Sequence, residues 1–331
     1  MKLLVTGSAG HLGEALVRQL RADGHEVTGL DRKASPFTDR VGDIGDRALL
    51  ARGLRGIDAV LHAATLHKPH MATHPMADFV ATNVAGTLAL LEVAVQCGVG
   101  AFVYTSTTSA FGAALNPGAG APAAWIDESV APVARNVYGA TKVAAEDLCQ
   151  VVHRRHGLPC IVLRTSRFFP EDDDDAATRT AFAPDNVQVN ELTHRRVELQ
   201  DVVDAHVRAL ERAPAIGFGR YIVSATTPFT RADVAALRGH ADTVLRERVP
   251  AHVAPYAQRG WRVAPDIDRV YDNRRARDEL GWAPRTDFGS AVAALAEGRD
   301  WRSPLTRAVG RKPYHDRIDW TDADGPFPVL R

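Results

Sequence analysis

The stretch NVYGATKVAAEDL, residues 136–148, sets a tyrosine and a lysine four residues apart, Tyr138 and Lys142. If the segment is helical, that spacing is about one turn and places both side chains on one face. An ammonium beside a phenol favours the phenolate and pulls the tyrosine pKa below its ordinary value of about 10. A tyrosine tuned in that way takes a proton from an alcohol. Alone, the pair reads more readily as a surface pair on a helix, so the rest of the chain has to choose between the two.

A second constellation lies at the N-terminus. VTGSAGHLGEAL places Gly7, Gly10 and Gly13 between an apolar run and an amphipathic one. Glycines there let the backbone turn tightly, approach a pyrophosphate and pack a helix on a strand. The helix N-terminus then offers N–H groups and partial positive charge to phosphates. Asp31 ends the next apolar run, 18 residues beyond Gly13. A carboxylate at that place accepts the ribose hydroxyls of NAD and repels the 2′-phosphate of NADP, so NAD is the expected cofactor. Arg32 follows directly; it can stack on adenine or partly rescue NADP. VGDIGD (41–46) offers Asp43 and Ile44 as a clamp on the adenine edge.

These residues need elements to hold them. Apolar runs at 2–7, 25–31, 58–64, 101–108, 159–166 and 220–225 alternate with amphipathic stretches at 11–24, 79–98 and from the Tyr138 segment to about His156. Near-continuous apolar strands alternating with helices predict a Rossmann-type, doubly wound α/β fold with a parallel sheet covered on both faces. The period breaks over 166–196 and again after 226, with a clean amphipathic helix at 197–213 between. The expected division is a dinucleotide-binding domain of 1–165 plus 197–225. A smaller substrate lobe and tail would comprise 166–196 plus 226–331. The tail from 300 is expected to wrap the surface or reach a partner, and the acidic run Glu171–Asp175 to be a solvated loop rather than a metal site.

Composition limits the function classes. The 331 residues are 45% hydrophobic and 24% charged, with Lys+Arg and Asp+Glu at 40 each. That balance gives no reason to expect nucleic acid or an anionic membrane surface as a partner. No run approaches the about 20 apolar residues of a membrane span, and no leader is visible. The three cysteines, Cys97, Cys149 and Cys160, are scattered and without a CxxC. A reducing compartment, and so a cytoplasmic protein, is expected.

Further segments carry a resemblance. Besides TGSAGHLG (6–13) and YGATK (138–142), they are HAA (62–64), NVAGTLALLE (83–92), VYTSTTSAFG (103–112), LRTSRFFP (163–170), VELQDVVDAH (197–206) and DELGWAP (278–284). In this order they resemble the extended short-chain dehydrogenase/reductases, the group of NAD-dependent sugar-nucleotide epimerases and dehydratases that includes UDP-glucose 4-epimerase. The resemblance implies that Tyr138 is the general base or acid. Lys142 would bind the nicotinamide ribose and lower the tyrosine pKa, and Thr107 would orient the substrate alcohol. Asn83 would hold the active-site backbone and the cofactor. Gly7, Gly10, His11, Leu12, Gly13, Asp31, Asp43, Ile44, Ala63 and Ala64 would line NAD. It also implies a homodimer packed through the helices holding Asn83–Gln96 and Tyr138–His153.

Departures from the family bear on the substrate, a sugar or sugar nucleotide. Arg167 stands where an asparagine is usual; it can clamp a carboxylate or phosphate, or pair with the acidic run. The segment between LRTSRFFP and RRVELQDVVDAH is shorter than usual, which argues for a smaller substrate. Arg196 sits where the family often contacts phosphate. TLHKPHMATH holds His67, His70 and His74; no metal is expected, since no carboxylate or cysteine partner is near. In the family this loop faces the sugar, which makes His67 and Lys68 candidate substrate contacts. NPGAGAPAAW (116–125) is a lid or a long loop.

Three functions therefore stand open. The first is an epimerase or dehydratase with tightly held NAD. The second is a net dehydrogenase or reductase of a free sugar or uronate with exchangeable NAD. The third is a non-catalytic NAD sensor, against which Thr107, Tyr138 and Lys142 speak.

Overall fold

All six apolar runs become strands of one parallel sheet. The structure, a computed structural model, describes residues 1–173 and 175–312. The first half runs β1 (Lys2–Thr6), α1 (His11–Ala22), β2 (Glu26–Asp31), β3 (Arg40–Val41), α2 (Arg47–Gly53), β4 (Ala59–His62), α3 (Met76–Phe79), α4 (Thr87–Gln96), β5 (Ala101–Thr107), β6 (Ala124–Ile126) and α5 (Val137–His156). Then follow β7 (Cys160–Thr165), α6 (Ala176–Ala181), α7 (Pro184–Glu191), α8 (Leu199–Ile216), β8 (Phe218–Val223), α9 (Ala241–Arg248) and α10 (Val253–Arg259). The chain ends with β9 (Arg269–Tyr271), α11 (Arg274–Leu280), α12 (Phe288–Ala296) and α13 (Pro304–Val309).

The sheet order is β3-β2-β1-β4-β5-β7-β8, every pair parallel. β4 and β7 are buried at every position, as strands covered on both faces must be. The chain leaves β1 in one direction to β2 and β3 and returns to build the other half from β4. The crevice at that switch, at the carboxyl ends of the strands, is where such sheets bind ligands.

One face of the sheet packs Leu16 and Leu20 of α1 with Val202 and Ala209 of α8; the other packs Leu50, Leu90, Ala145 and Cys149. Ala276, Leu280, Trp282 and Val309 belong to the first of these cores. The Trp282 indole N–H also donates to the Asp201 carbonyl at 2.9 Å. Segments around 274–282 and 304–309, assigned to the smaller lobe from the sequence, therefore pack on the dinucleotide body. Apolar burial decided this, and DELGWAP carries the tryptophan that drives it. A separate core holds Leu192, Phe229, Leu245, Tyr256 and Phe288. The end of the glycine-rich stretch pairs there, β6 on β9. The rest of the expected tail, 313–331, lies outside the described residues.

Helices α3 and α4 are joined by a π-helical stretch, Val80–Gly86, into one rod from Met76 to Gln96. By length and composition this 21-residue rod could cross a membrane, which corrects the expectation that no such stretch exists. Half of it is buried inside the fold, against α5 and the sheet.

Candidate active site

The carboxyl ends of the central strands open on one cavity of about 580 Å³. The glycine loop forms its floor at one end. Gly7 has φ +75, and a Cβ on it would lie 2.7 Å from the Ala64 nitrogen. A Cβ on Gly13 would lie 1.9 Å from the Gly7 carbonyl oxygen, so only glycine lets α1 start this close to β1. Gly10 is the N-cap of α1, and no side chain caps the first turn. His11 and Leu12 open that turn facing the cavity. Ala63 and Ala64 cross above; the Ala64 N–H donates to the Thr6 hydroxyl at 3.2 Å, which also bonds His62 at 2.7 Å. Burial pushes His62 down to about 3, so it is a neutral bracket.

Asp31 stands at the tip of β2. Its carboxylate accepts the Ala9 N–H at 3.0 Å and the Lys33 N–H at 2.9 Å, which fixes it at the cavity wall. Arg32 reaches Asp43 at 3.5 Å across the exposed rim. Ile44 is buried against Gly86 of the π stretch, where a Cβ would lie 2.9 Å from its side chain. A capless helix start, a backbone cradle and a carboxylate beyond it fit a dinucleotide.

At the other end stand Thr107, Tyr138 and Lys142, all nine-tenths buried or more and all lining the cavity. The Thr107 hydroxyl accepts the Ser109 N–H at 3.1 Å and lies near enough to the Tyr138 phenol to favour its ionised form. Asn136 caps α5, its side chain accepting the Gly139 N–H at 2.8 Å, and so fixes where the helix presents Tyr138. The Lys142 ammonium donates to the Thr105 carbonyl at 2.6 Å and lies 4.3 Å from the centre of the Tyr104 ring. Burial pushes Lys142 down to about 7, against the pull of Glu146 and Cys149. Burial pushes Tyr138 up to about 12, with the nearby Thr107 hydroxyl opposing. The lowered phenol expected from the Tyr–Lys spacing is thus reversed in the cavity itself. Desolvation of the phenolate dominates, and the Lys142 ammonium is turned toward the Thr105 carbonyl.

Asn83 does not line the cavity. It sits in the π stretch, fully buried, and works as a bracket. Its side chain accepts the Leu66 N–H at 2.8 Å and donates to the Leu66 carbonyl at 2.8 Å and the Thr141 hydroxyl at 3.1 Å. Asn83 thereby ties the 65–70 loop to the helix of Tyr138.

The wall away from Asp31 is rich in charge. His67 and Lys68 line it, and the His67 ring stacks on Phe169 with centroids 5.4 Å apart. His70 and His74 pack edge-on along the same turn. Arg167 lines the cavity too, and its guanidinium is held by Asp173 at 2.7 Å and the Asp172 carbonyl at 2.9 Å. Of the two roles open to it, pairing with the acidic run is the one observed. The described members of that run have partners. Glu171 meets His11 at 2.7 Å, Asp172 meets Arg311 at 2.7 Å, and Asp175 caps α6.

Arg196 is turned away from the cavity. It is buried on Glu191 at 2.8 Å and on the Phe169 carbonyl at 2.8 Å. Its neighbour Arg195, which sequence reasoning missed, lines the cavity instead, as do Arg269 and Lys312. Arg196 pairs with Arg167 as an isolated parallel bridge, and adjacent residues of an extended segment point opposite ways. The doubled arginine was the available signal, but one residue of register decides which faces the ligand. Three guanidiniums, of Arg167, Arg195 and Arg196, converge on Glu191, which holds that carboxyl far below the usual carboxylate range despite burial.

Comparison with known proteins places this geometry. The model of the NAD dependent epimerase/dehydratase family matches residues 3–223. The chain belongs to that family. A dTDP-glucose 4,6-dehydratase of Streptomyces niveus is 30% identical over 92% of this chain and 96% of its own. A UDP-glucose 4-epimerase of Azospirillum brasilense is 28% identical over 94% of each. Among solved structures, the dTDP-glucose 4,6-dehydratase DesIV of Streptomyces venezuelae, a double mutant with NAD and DAU bound, superposes with a TM-score of 0.60. It is 25% identical and covers 92% of this chain and 100% of that one. As a member of the epimerase/dehydratase family, the chain is an NAD-dependent enzyme of the extended short-chain dehydrogenase/reductase type.

Proposed function

We propose that this enzyme epimerises a sugar nucleotide by removing a hydride from a ring carbinol carbon and returning it to the same carbon. The observation that carries the reading is the meeting of Thr107, Tyr138 and Lys142 at one end of a cavity whose other end holds Asp31 and the glycine cradle. NAD, when bound, accepts and returns the hydride. The adenosine end would lie between Asp31 and Ile44, with the pyrophosphate at the first turn of α1. The Tyr138 oxygen takes the proton of the reacting hydroxyl and gives it back. Tyr138 does this as the phenolate, a state the Lys142 ammonium stabilises, and becomes the phenol that returns the proton, while Thr107 hydrogen-bonds the reacting hydroxyl. Arg195, Arg269 and Lys68 line the wall toward which the substrate's phosphates would extend.

Loss of water from the sugar would need a further acid for the leaving hydroxyl and a base for a carbon-bound proton. The residues following Thr107 are Thr108 and Ser109, hydroxyls and not carboxylates. Acids 171–173 and 175 are engaged by His11, Arg311, Arg167 and the start of α6. This supports hydride return without elimination. Engagement of Arg167 by Asp173 weakens the alternative of a net dehydrogenase clamping a uronate there.

The test is turnover of UDP- and dTDP-hexoses, with products read by mass and NMR and NADH by absorbance. An isomer of unchanged mass without NADH accumulation is expected. Accumulating NADH, or a product lighter by one water, refutes the epimerase reading. Tyr138→Phe should abolish turnover and leave NAD binding intact.

A homodimer through α4 and α5 belongs to the same reading. Met76, Val80 and Val151 are large exposed hydrophobics on the α3–α4 rod and on α5, which supports it. A mass in solution of one chain only would reject it. The thiols of Cys97, Cys149 and Cys160 are free, in keeping with a reducing compartment.

A further inference from the structure

The end of β5 holds three consecutive residues on which the proposed chemistry leans. Thr105 offers its carbonyl to Lys142 at 2.6 Å, and Thr107 lines the cavity beside Tyr138. Ser106, between them, is fixed from two sides. Its hydroxyl donates to the Glu146 carboxylate, and its carbonyl accepts the Thr165 hydroxyl at 3.0 Å.

Glu146 lies on α5, one turn beyond Lys142, with no exposed surface. Arg164 of β7 grips both its oxygens, Nε at 3.1 Å from each and Nη2 at 2.7 Å from one. Arg220 of β8 approaches at 3.3 Å, and the Arg164 guanidinium also rests 4.8 Å from the centre of the Phe111 ring. A buried ion pair of this kind gives little net stability over an apolar pair of the same volume, because desolving the charges offsets their attraction. What such a pair supplies is a fixed geometry. Here the geometry is passed through Ser106 to the two residues that flank it.

We propose that Glu146, backed by Arg164, is a positioning residue for the reaction: by holding Ser106 it sets the Thr105 carbonyl against Lys142 and the Thr107 hydroxyl against Tyr138. This rests on the catalytic reading of Thr107, Tyr138 and Lys142. A second effect comes from charge. The titratable and charged groups around Lys142 are Glu146, Cys149 and Tyr138 of its own helix, His62 of β4, Tyr104 of β5, and Arg164 of β7 behind Glu146. Burial keeps His62, Tyr104, Tyr138 and Cys149 neutral near pH 7. Among the described residues of that set, Glu146 is the anion that holds the proton on Lys142.

Two variants separate these effects, measured on the NAD-loaded enzyme with a sugar nucleotide beside Tyr138→Phe. Ser106→Ala removes the hydroxyl and leaves the ion pair whole, so the fold is kept. It should lower kcat roughly 10- to 100-fold, as a misplacement of up to an ångström does, with KM and the Kd for NAD changed by no more than about twofold. Glu146→Gln leaves an oxygen for Ser106 and removes the charge. It should move the alkaline limb of the kcat–pH profile to lower pH, while Ser106→Ala leaves that limb in place. Wild-type kcat in Ser106→Ala together with an unmoved limb in Glu146→Gln overturns the proposal. So does a loss of NAD affinity in step with kcat, which would mean general structural support. Should Glu146→Gln not fold, Ser106→Ala decides alone. An active Tyr138→Phe would sink the catalytic reading itself; an inactive Tyr138→Phe beside two wild-type-like variants sinks only the role of Glu146.

Discussion

Lys142→Met is expected to stabilise the cofactor-free protein while it stops turnover. The ammonium is buried, and desolvation takes its pKa from 10.5 to about 7 even after Glu146 and Cys149 pull it back up. At about 1.4 kcal/mol per pH unit, that drop puts the full cost of the buried charge at about 5 kcal/mol. The folded value lies below the unfolded one, so the unfolded chain holds the proton more tightly. Below pH 7 both states are protonated and the whole cost applies. As pH rises from about 7 toward 10.5 the folded protein gives up the proton first, and the cost fades. It is about 4 kcal/mol at pH 7 and about 2 kcal/mol at pH 9. Methionine has similar length and no charge, and fills the same space. Its lost contact with Thr105 trims the gain at both pH values alike, so the change with pH is the cleaner quantity. Urea denaturation of both proteins without NAD, at pH 7 and pH 9, reads it. The variant's advantage should shrink by about 2 kcal/mol over that interval. An advantage that stays constant with pH would mean that Lys142 does not titrate there, and the account of a cation stored at high energy beside the phenol would be wrong.

Other expectations follow from single contacts. Asp31→Asn should relax the preference for NAD over NADP by roughly tenfold, the effect of one charge repulsion in a partly solvated site, as read from the two dissociation constants; an unchanged ratio would remove Asp31 from the ribose. Gly13→Ala should abolish NAD binding and lower Tm, because its Cβ would fall 1.9 Å from the Gly7 oxygen; retained NAD affinity refutes the close start of α1. Arg195→Met should raise KM for a sugar nucleotide roughly tenfold and, with Arg196 and Arg167 still on Glu191, cost less stability than Arg196→Met. Arg196→Met should do the reverse, costing roughly 3–5 kcal/mol in denaturation by stranding part of the Glu191 charge; equal effects of the two would refute the opposed facing of these neighbours.

What was legible in the sequence is what local pattern encodes. A parallel strand buried on both faces is a short unbroken apolar run, and β1, β2, β4, β5, β7 and β8 each have one. β3 is two exposed residues, Arg40 and Val41, and exists only because β2 offers an edge. β6 and β9 are three residues each and pair across more than a hundred positions, so no local signal marks them. The π stretch, Val80–Gly86, has no signal of its own in the sequence. Its apolar spacing is helical, and what holds Asn83 there is a set of bonds to Leu66, Thr65 and Thr141 from other elements.

The candidate site divides along the same line. The identities and spacing of Gly7, Gly13, Asp31, Thr107, Tyr138 and Lys142 were legible because each is imposed by one local geometry: a turn, a strand end, a helical turn. Arg195 and Arg196 differ by one position, and only the bridge to Arg167 says which faces the ligand. The acidic run looked solvated because its partners, His11, Arg311 and Arg195, lie far off in the chain. The electrostatics of Tyr138 and Lys142 are the sharpest instance. Sequence proximity gives the sign of the pairwise term, a cation lowering a phenol. Burial acts on both groups at once, raises the phenol and strips the cation, and is the larger effect at each. The pair is therefore a high-energy arrangement, and the proton-transfer chemistry proposed for it depends on how firmly β5 and α5 hold it in place.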